Sequence, residues 1–210
     1  MNIINCLEWR YATKKFDPSK TLSNLQIETL KKAFNLTATS FGLQPIKMIV
    51  IQNKELQEKF VEHCYFQGQV ASASHLLVLC IENDTTSKDI NNYFDFEKEV
   101  RGVDESTIAN FRAQLLAMYN NKTIEDKQLS AKHQAYIALG NLMTVCALEK
   151  IDCCPLEGFV PAKIDELLNL TAQNLTSVLL LPVGFRASDD LMSTMKKVRK
   201  PLNETVIEIS

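Results

Sequence analysis

The chain has 210 residues, 46% hydrophobic and 23% charged, with Lys+Arg 23 against Asp+Glu 25 for a net charge of −2. One domain over 1–210 is expected at that length, with a core large enough to need no disulfide or structural metal. The balanced charge gives no global field to attract nucleic acid or an anionic membrane. The six glycines lie far apart, so neither G-x-G-x-x-G nor G-x-x-x-x-G-K-[ST] is present and both common nucleotide loops are excluded.

In chain order, Ser23 with Gln26 makes a capping box ahead of Leu25, Ile27, Leu30 and Phe34, predicting a helix to about Leu36. The β-branched run 47–52 (KMIVIQ) predicts a strand, and Asn53 caps a helix through about Cys64. The run 75–82 (HLLVLCIE) is too apolar for a surface strand and fits a central one buried on both faces. From 87 to 119 the pattern is charged and helical, broken at Asn120-Asn121, and reads as peripheral. A long helix at 127–150 is apolar almost all round its middle, so it must be buried on more than one side, under a sheet or at a subunit interface. Segment 178–183 (VLLLPV) predicts another buried strand, and 205–209 (TVIEI) alternates as a final strand able to pair with a partner's sheet edge. Strands separated by helices imply an α/β or α+β sandwich around a sheet of four or five strands.

The six cysteines contain no C-x-x-C, and Cys80 and Cys146 fall in apolar runs, so reduced thiols packing as small hydrophobes are expected. His63, His75 and His133 lack zinc-ligand spacing. Residues 1–8 have no apolar core of signal-peptide length. The most apolar stretch, 135–148, has 14 residues, short of the about 20 that span a bilayer. A cytoplasmic protein without membrane partners is expected.

Two basic clusters stand out: Arg10, Lys14 and Lys15 near one end, and Lys196, Lys197, Arg199 and Lys200 near the other. Either alone reads as a solvated face or as a phosphate site, because an Arg fork with Lys point charges matches a phosphomonoester. Chain ends often lie close together, which would let the clusters converge. Pro155-Leu156-Glu157-Gly158-Phe159 is either a plain turn or a run of backbone N–H groups offered to a ligand. Residues 39–45 (TSFGLQP) supply a hydroxyl, a permissive glycine and an amide in a helix-to-strand loop. No nucleophile elbow, H-E-x-x-H or Cys–His arrangement is present. An enzyme built on this sequence would rely on a cofactor.

The ordered set RYATKKFD (10–17), SFGLQP (40–45), Ala73-Ser74-His75, PLEGF (155–159), LLPVGFR (180–186) and KVRKP (197–201) resembles the FMN-dependent nitroreductase family, in its oxygen-insensitive NAD(P)H form, over almost the whole chain. The resemblance implies an α+β nitroreductase-like sandwich with a mainly antiparallel central sheet flanked by helices. It also implies an intertwined homodimer with C-terminal strand exchange. Tightly bound FMN would occupy two interface sites. NADH or NADPH would donate hydride transiently, and nitroaromatics, quinones or flavins would be the small-molecule acceptors.

By the same resemblance Arg10, Lys197 and Arg199 would hold the FMN phosphate, with Tyr11 and Ala12 beside them. Lys14 would face the pyrimidine edge, where positive charge favours the anion that develops on reduction. Pro155, Leu156, Glu157 and Gly158 would lie along the ring, with the Glu157 and Gly158 amides directed at N5 and O4. Thr39, Ser40 and Gly42 would approach from the other subunit. Four positions depart from the family pattern: Ala12 replaces a frequent Ser and loses a hydrogen bond, and Ile46 replaces a common Trp and should open the pocket. Phe66 stands where Asn or Gly is frequent, and Gln69 where some relatives carry Lys. Two other readings stay open: a flavin-binding protein without turnover, and an interaction module whose basic ends bind some other phosphorylated ligand.

Overall fold

The computed structural model describes residues 2–209. Its strands are β1 (Ile46–Ile51), β2 (His75–Glu82), β3 (Asp152–Cys153) and β4 (Leu175–Gly184), antiparallel in the spatial order β1-β2-β4-β3. Around them lie α1 (Ile3–Trp9), α2 (Asn24–Asn35), α3 (Lys54–His63), α4 (Gln69–Ser72), α5 (Ser87–Arg101), α6 (Glu105–Asn120), α7 (Ile124–Leu148), α8 (Pro161–Leu167) and α9 (Leu202–Thr205).

Strand β2 is central, and its side chains alternate between two cores as a pleated strand requires. Leu77, Leu79 and Ile81 enter one core with Ala135, Leu142 and Leu181; Leu76, Val78 and Cys80 enter the other with Phe60, Val70 and Ile164. A strand covered on both faces has no solvent side to keep polar, which is why 75–82 reads as one apolar run. Pro182 sits inside β4, opposite Leu76. Its carbonyl accepts from the Cys154 N–H (3.1 Å). In an antiparallel ladder a residue's N–H and C=O face the same neighbour, so the donor that proline lacks falls on the β3 side. That neighbour ends at Cys153, and the chain is free to leave the sheet into the 155–158 turn.

Helix α2 carries the expected capping box: Gln26 N–H donates to Ser23 Oγ and Ser23 N–H to Gln26 Oε1 (3.0 Å). Helix α7 begins before the expected start, because Thr123 accepts from the Asp126 N–H and Glu125 and Asp126 complement the first turn. It ends with Lys150 left-handed (φ 56) and Ile151 N–H donating to Cys146 O (2.8 Å), a Schellman-type stop. Ala131, Ala135, Ala138 and Leu142 bury its inner face, whereas Leu129, Tyr136 and Ile137 on the other side are exposed. The expected helical stretch at 87–119 is split into α5 and α6 by left-handed Gly102 (φ 63). These two share their own small core of Ile90, Phe94, Ile108, Leu115 and Tyr119, away from the sheet.

One expectation is corrected, at Ile46, and the expected final strand finds no partner within the chain. Residues 205–209 form no strand within the chain: Thr205 ends α9, Val206 is extended, and 206–209 pair with no strand among the described residues. A β-ladder needs a partner strand, and none reaches this segment, so Ile207 and Ile209 stay almost fully exposed. Ile46 does not open a pocket in this chain; it is buried in the main core, opposite Ile81. Among the described residues no helix is long and apolar enough to cross a membrane, and all six cysteines are free and buried.

Candidate functional site

The segment 10–16 leaves α1 and runs beside the far edge of the sheet. Ala12 bridges Cys153 in parallel, Thr13 N–H donates to Cys153 O (3.2 Å), and Phe16 bridges Arg186. Two side chains from the other end of the chain clamp it. Asp190, itself buried, accepts from Tyr11 Oη (3.0 Å), Lys14 N (3.0 Å) and Lys15 N (3.3 Å) on one oxygen and from Met192 N (3.1 Å) on the other. Burial alone would raise the Asp190 carboxyl, but these donors outweigh it and hold it below the ordinary value. On Tyr11, burial first and the Asp190 hydrogen bond second push the phenol up to about 12. Arg186 lies 4.3 Å from the Trp9 ring and 4.5 Å from the Tyr11 ring, and its Nε donates to buried Asp152 (2.7 Å).

This clamp brings the two basic clusters together. Lys197 Nζ donates to the Arg10 carbonyl. Its ammonium is shifted down, by burial first and then by the Arg10 and Arg199 charges. Lys14, exposed, reaches inward so that Nζ lies 3.7 Å from Cys154 Sγ. Burial pushes the Cys154 thiol up, opposed by the Lys14 ammonium.

The turn after Cys154 is the second component. Leu156 exchanges hydrogen bonds with Leu180 (2.9 and 3.0 Å), and Phe159 N–H donates to Glu157 O (3.0 Å). The Glu157 and Gly158 N–H groups find no acceptor among the described residues. Gln67 Nε2 donates to Gly158 O (2.9 Å), and Gln67 Oε1 accepts from Gln69 Nε2 (3.0 Å). Gln69 is buried and lies 4.0 Å from the same Cys154 sulfur. Phe66 is exposed beside this group, and it and Tyr65 both hold left-handed backbone (φ 59 and 52).

The third component stands apart. Gln134 on α7 accepts from Ser40 N (2.8 Å) and donates to Ser40 Oγ (3.1 Å), while the Thr39 hydroxyl accepts from Gln44 N (3.3 Å). Gly42 (φ 74) is packed so closely on Tyr93 that an added Cβ would lie 2.6 Å from the phenol oxygen. Two residues along α7, the Tyr136 phenol is raised by burial first and then by the nearby Glu157 carboxylate. Residues two apart on a helix project about 200° from each other. The 39–42 loop, held by Gln134, therefore sits on the side of α7 opposite Tyr136. The structure brings Arg10, Tyr11, Ala12, Lys14, Gln69, the 155–158 turn and Lys197 into one region and leaves Thr39, Ser40 and Gly42 outside it. Sequence reasoning missed Gln67 and Asp190 and expected only packing of Cys154; these are ordinary residues whose parts exist only in three dimensions.

These features define an α+β protein that gathers cations from both ends of its chain beside a turn with open N–H donors. The chain belongs to the nitroreductase family: residues 7–185 match the Nitroreductase family model. A Staphylococcus epidermidis protein assigned by name to the NAD(P)H nitroreductases is 34% identical over 203 residues, covering 89% of each chain. The similarly assigned YfkO of Bacillus subtilis is 30% identical over 213 residues, covering 93% of this chain and 94% of its own. Among solved structures, Bacillus subtilis ydfN superposes with a TM-score of 0.87 at 18% identity over 98% of both chains. An Exiguobacterium sibiricum protein solved in complex with FMN gives 0.84 at 19% identity, covering 100% of this chain and 98% of its own.

Proposed function

We propose that this chain is an FMN-dependent NAD(P)H oxidoreductase that reduces nitroaromatic, quinone or flavin acceptors, and that it works as a homodimer. The observation that carries the reading is the meeting of Arg10 with Lys197, which joins two clusters 187 positions apart in sequence into one cationic patch. That patch suits the dianionic phosphate of FMN, with Arg199 completing it and Tyr11 and Ala12 flanking it. Lys14 would balance negative charge at the pyrimidine edge. The Glu157 and Gly158 N–H groups, buried in no internal hydrogen bond, fit the acceptor atoms of an isoalloxazine edge, with Pro155 and Leu156 against the ring. Phe66 and Gln69 would line the same side. Bound FMN would supply two-electron chemistry, taking hydride from NADH or NADPH and passing it to an acceptor in a separate half-reaction. The chain's own residues would orient the ring, exclude water and stabilise charge; none need act as acid or base.

Dimerisation is supported by the position of Thr39, Ser40 and Gly42 across α7, and by its exposed Leu129, Tyr136 and Ile137. The loop of a second copy would complete each site, and residues 206–209, which pair with no strand among the described residues, would find a ladder on the partner's sheet. The test is the visible spectrum of the purified protein before and after anaerobic NADH or NADPH. A yellow protein that bleaches is expected. A yellow protein that never bleaches would instead fit a flavin carrier, and a colourless one that takes up no FMN would overturn the flavin reading. Riboflavin binding gives a finer check: Arg10→Ala, Lys197→Ala and Arg199→Ala should weaken FMN but leave riboflavin unchanged.

A further inference from the structure

We propose that Gln67 is a positioning residue whose side-chain amide locks the Gly158 peptide, so that the 155–158 turn offers N–H donors and withholds its carbonyl. The inference rests on the flavin reading above and assigns a part to a residue outside the expected site. Phe159 N–H donates to Glu157 O (3.0 Å), closing a three-residue turn about Gly158. A trans peptide points its N–H opposite to its C=O, so with Glu157 O turned toward Phe159, the Gly158 N–H is directed away from it. The next peptide plane, which carries the Gly158 carbonyl and the Phe159 N–H, is otherwise held only by that one bond to Glu157 O, and a rotation that broke it would swing the Gly158 carbonyl toward the ligand. Gln67 anchors the opposite end of the same plane by donating to Gly158 O (2.9 Å).

The orientation of the Gln67 amide is fixed in turn. Its oxygen accepts from Gln69 Nε2 (3.0 Å) while its nitrogen donates to Gly158. A flipped amide would set oxygen against oxygen and nitrogen against nitrogen. Gln69 also reaches Cys154 Sγ (4.0 Å), as does Lys14 Nζ (3.7 Å), so one chain of contacts links the turn to the ammonium. Packing agrees independently: a Cβ on Gly158 would lie 3.1 Å from Gln67 Nε2. Two consecutive non-glycine residues in left-handed backbone, Tyr65 and Phe66, deliver Gln67 to this place, with Phe66 N–H tied to Val61 O (2.9 Å) and Gln67 N–H to Cys64 O (3.1 Å).

The experiment measures FMN affinity by flavin fluorescence, and the two-electron midpoint potential, for the natural protein, Gln67→Met and Gln67→Glu at pH 8 and pH 5. Gln67→Met loses one neutral hydrogen bond and should bind FMN about 3- to 10-fold more weakly at both values. Gln67→Glu at pH 8 sets a carboxylate against the Gly158 carbonyl and should bind about 10- to 100-fold more weakly. The facing Gly158 carbonyl disfavours the charged form and raises the introduced carboxyl above the ordinary Glu value of about 4.3. By pH 5 the protonated acid can therefore donate to Gly158 O and accept from Gln69, and its affinity should return to within about 3-fold of the natural protein. The potential should shift in Gln67→Met, and in Gln67→Glu only at the higher pH. Natural affinity and potential in both variants would overturn the proposal while leaving the flavin reading intact. So would an equal loss in Gln67→Glu at both values, since that marks a merely structural defect. A natural protein that binds no FMN overturns both.

Discussion

Replacing Gln69 by Lys tests how strongly charge at this edge favours a reduced, anionic ligand. Gln69 Nε2 and Lys14 Nζ both approach Cys154 Sγ, at 4.0 and 3.7 Å, so they lie no more than about 7.7 Å apart. A second ammonium there repels the first by about 2 kcal/mol at an effective dielectric of about 20. Solvent screening of the exposed Lys14 lowers this toward about 1 kcal/mol. The unliganded variant should be destabilised by that amount, plus about 1 kcal/mol for the lost hydrogen bond to Gln67. An anion at the same distance gains what the ammonium loses, so the two-electron midpoint potential of bound FMN should rise by about 20–45 mV, taking about 30 mV per 1.4 kcal/mol. Anaerobic spectroelectrochemical titration at about 0.1 M salt reads the shift, with Gln69→Met separating loss of the amide from gain of charge. A potential that stays within about 10 mV of the natural protein, or that falls, would refute the electrostatic reasoning.

Asp190→Ala removes the acceptor of four hydrogen bonds and should cost about 2–4 kcal/mol, a fall of about 5–15 °C in Tm by calorimetry. Because the folded carboxyl lies below its ordinary value of 3.8, its contribution is complete above about pH 5 and lost as pH falls through the folded value. The acid limb of a stability–pH curve should flatten in Asp190→Asn. Arg186→Ala strands the buried Asp152 carboxylate and should destabilise by about 3–5 kcal/mol in urea unfolding; Arg186→Ala with Asp152→Asn should recover a large part of that. Gly42→Ala faces both positive φ and the Tyr93 ring and should cost about 1–3 kcal/mol. Tyr93→Ala in the same chain should relieve the contact but not the backbone strain, giving partial recovery.

The parts legible in the sequence are those governed by local periodicity. The capping box of α2, the doubly buried β2 and the apolar β4 follow from spacing and side-chain type, and so does the peripheral character of 87–119. The start of α7 was also readable, since Thr123 followed by Glu125 and Asp126 is an N-terminal signature. Strand β3, with two residues, is too short to leave a period. The alternation in 205–209 marks strand chemistry, but pairing depends on a neighbour that local sequence does not specify. The meeting of Arg10 and Lys197 depends on Asp190 and Arg186 gripping a segment 170 or more positions away. Gln67 and Cys154 have no signature, because their parts arise from loops folding against each other rather than from spacing.

The wide separation of the two basic clusters also orders events during synthesis. Arg10 and Lys14 are made early, whereas Lys197 follows the last residue of β4, Gly184. At about 5–20 residues per second, roughly 10–40 s pass between the two. Every strand of the sheet has been translated before the second set of cations appears. A chain stopped after β4 lacks Lys197 as well as the Arg186 and Asp190 grips on the 11–15 segment, so it should hold phosphate poorly, and ligand capture waits on the residues beyond β4.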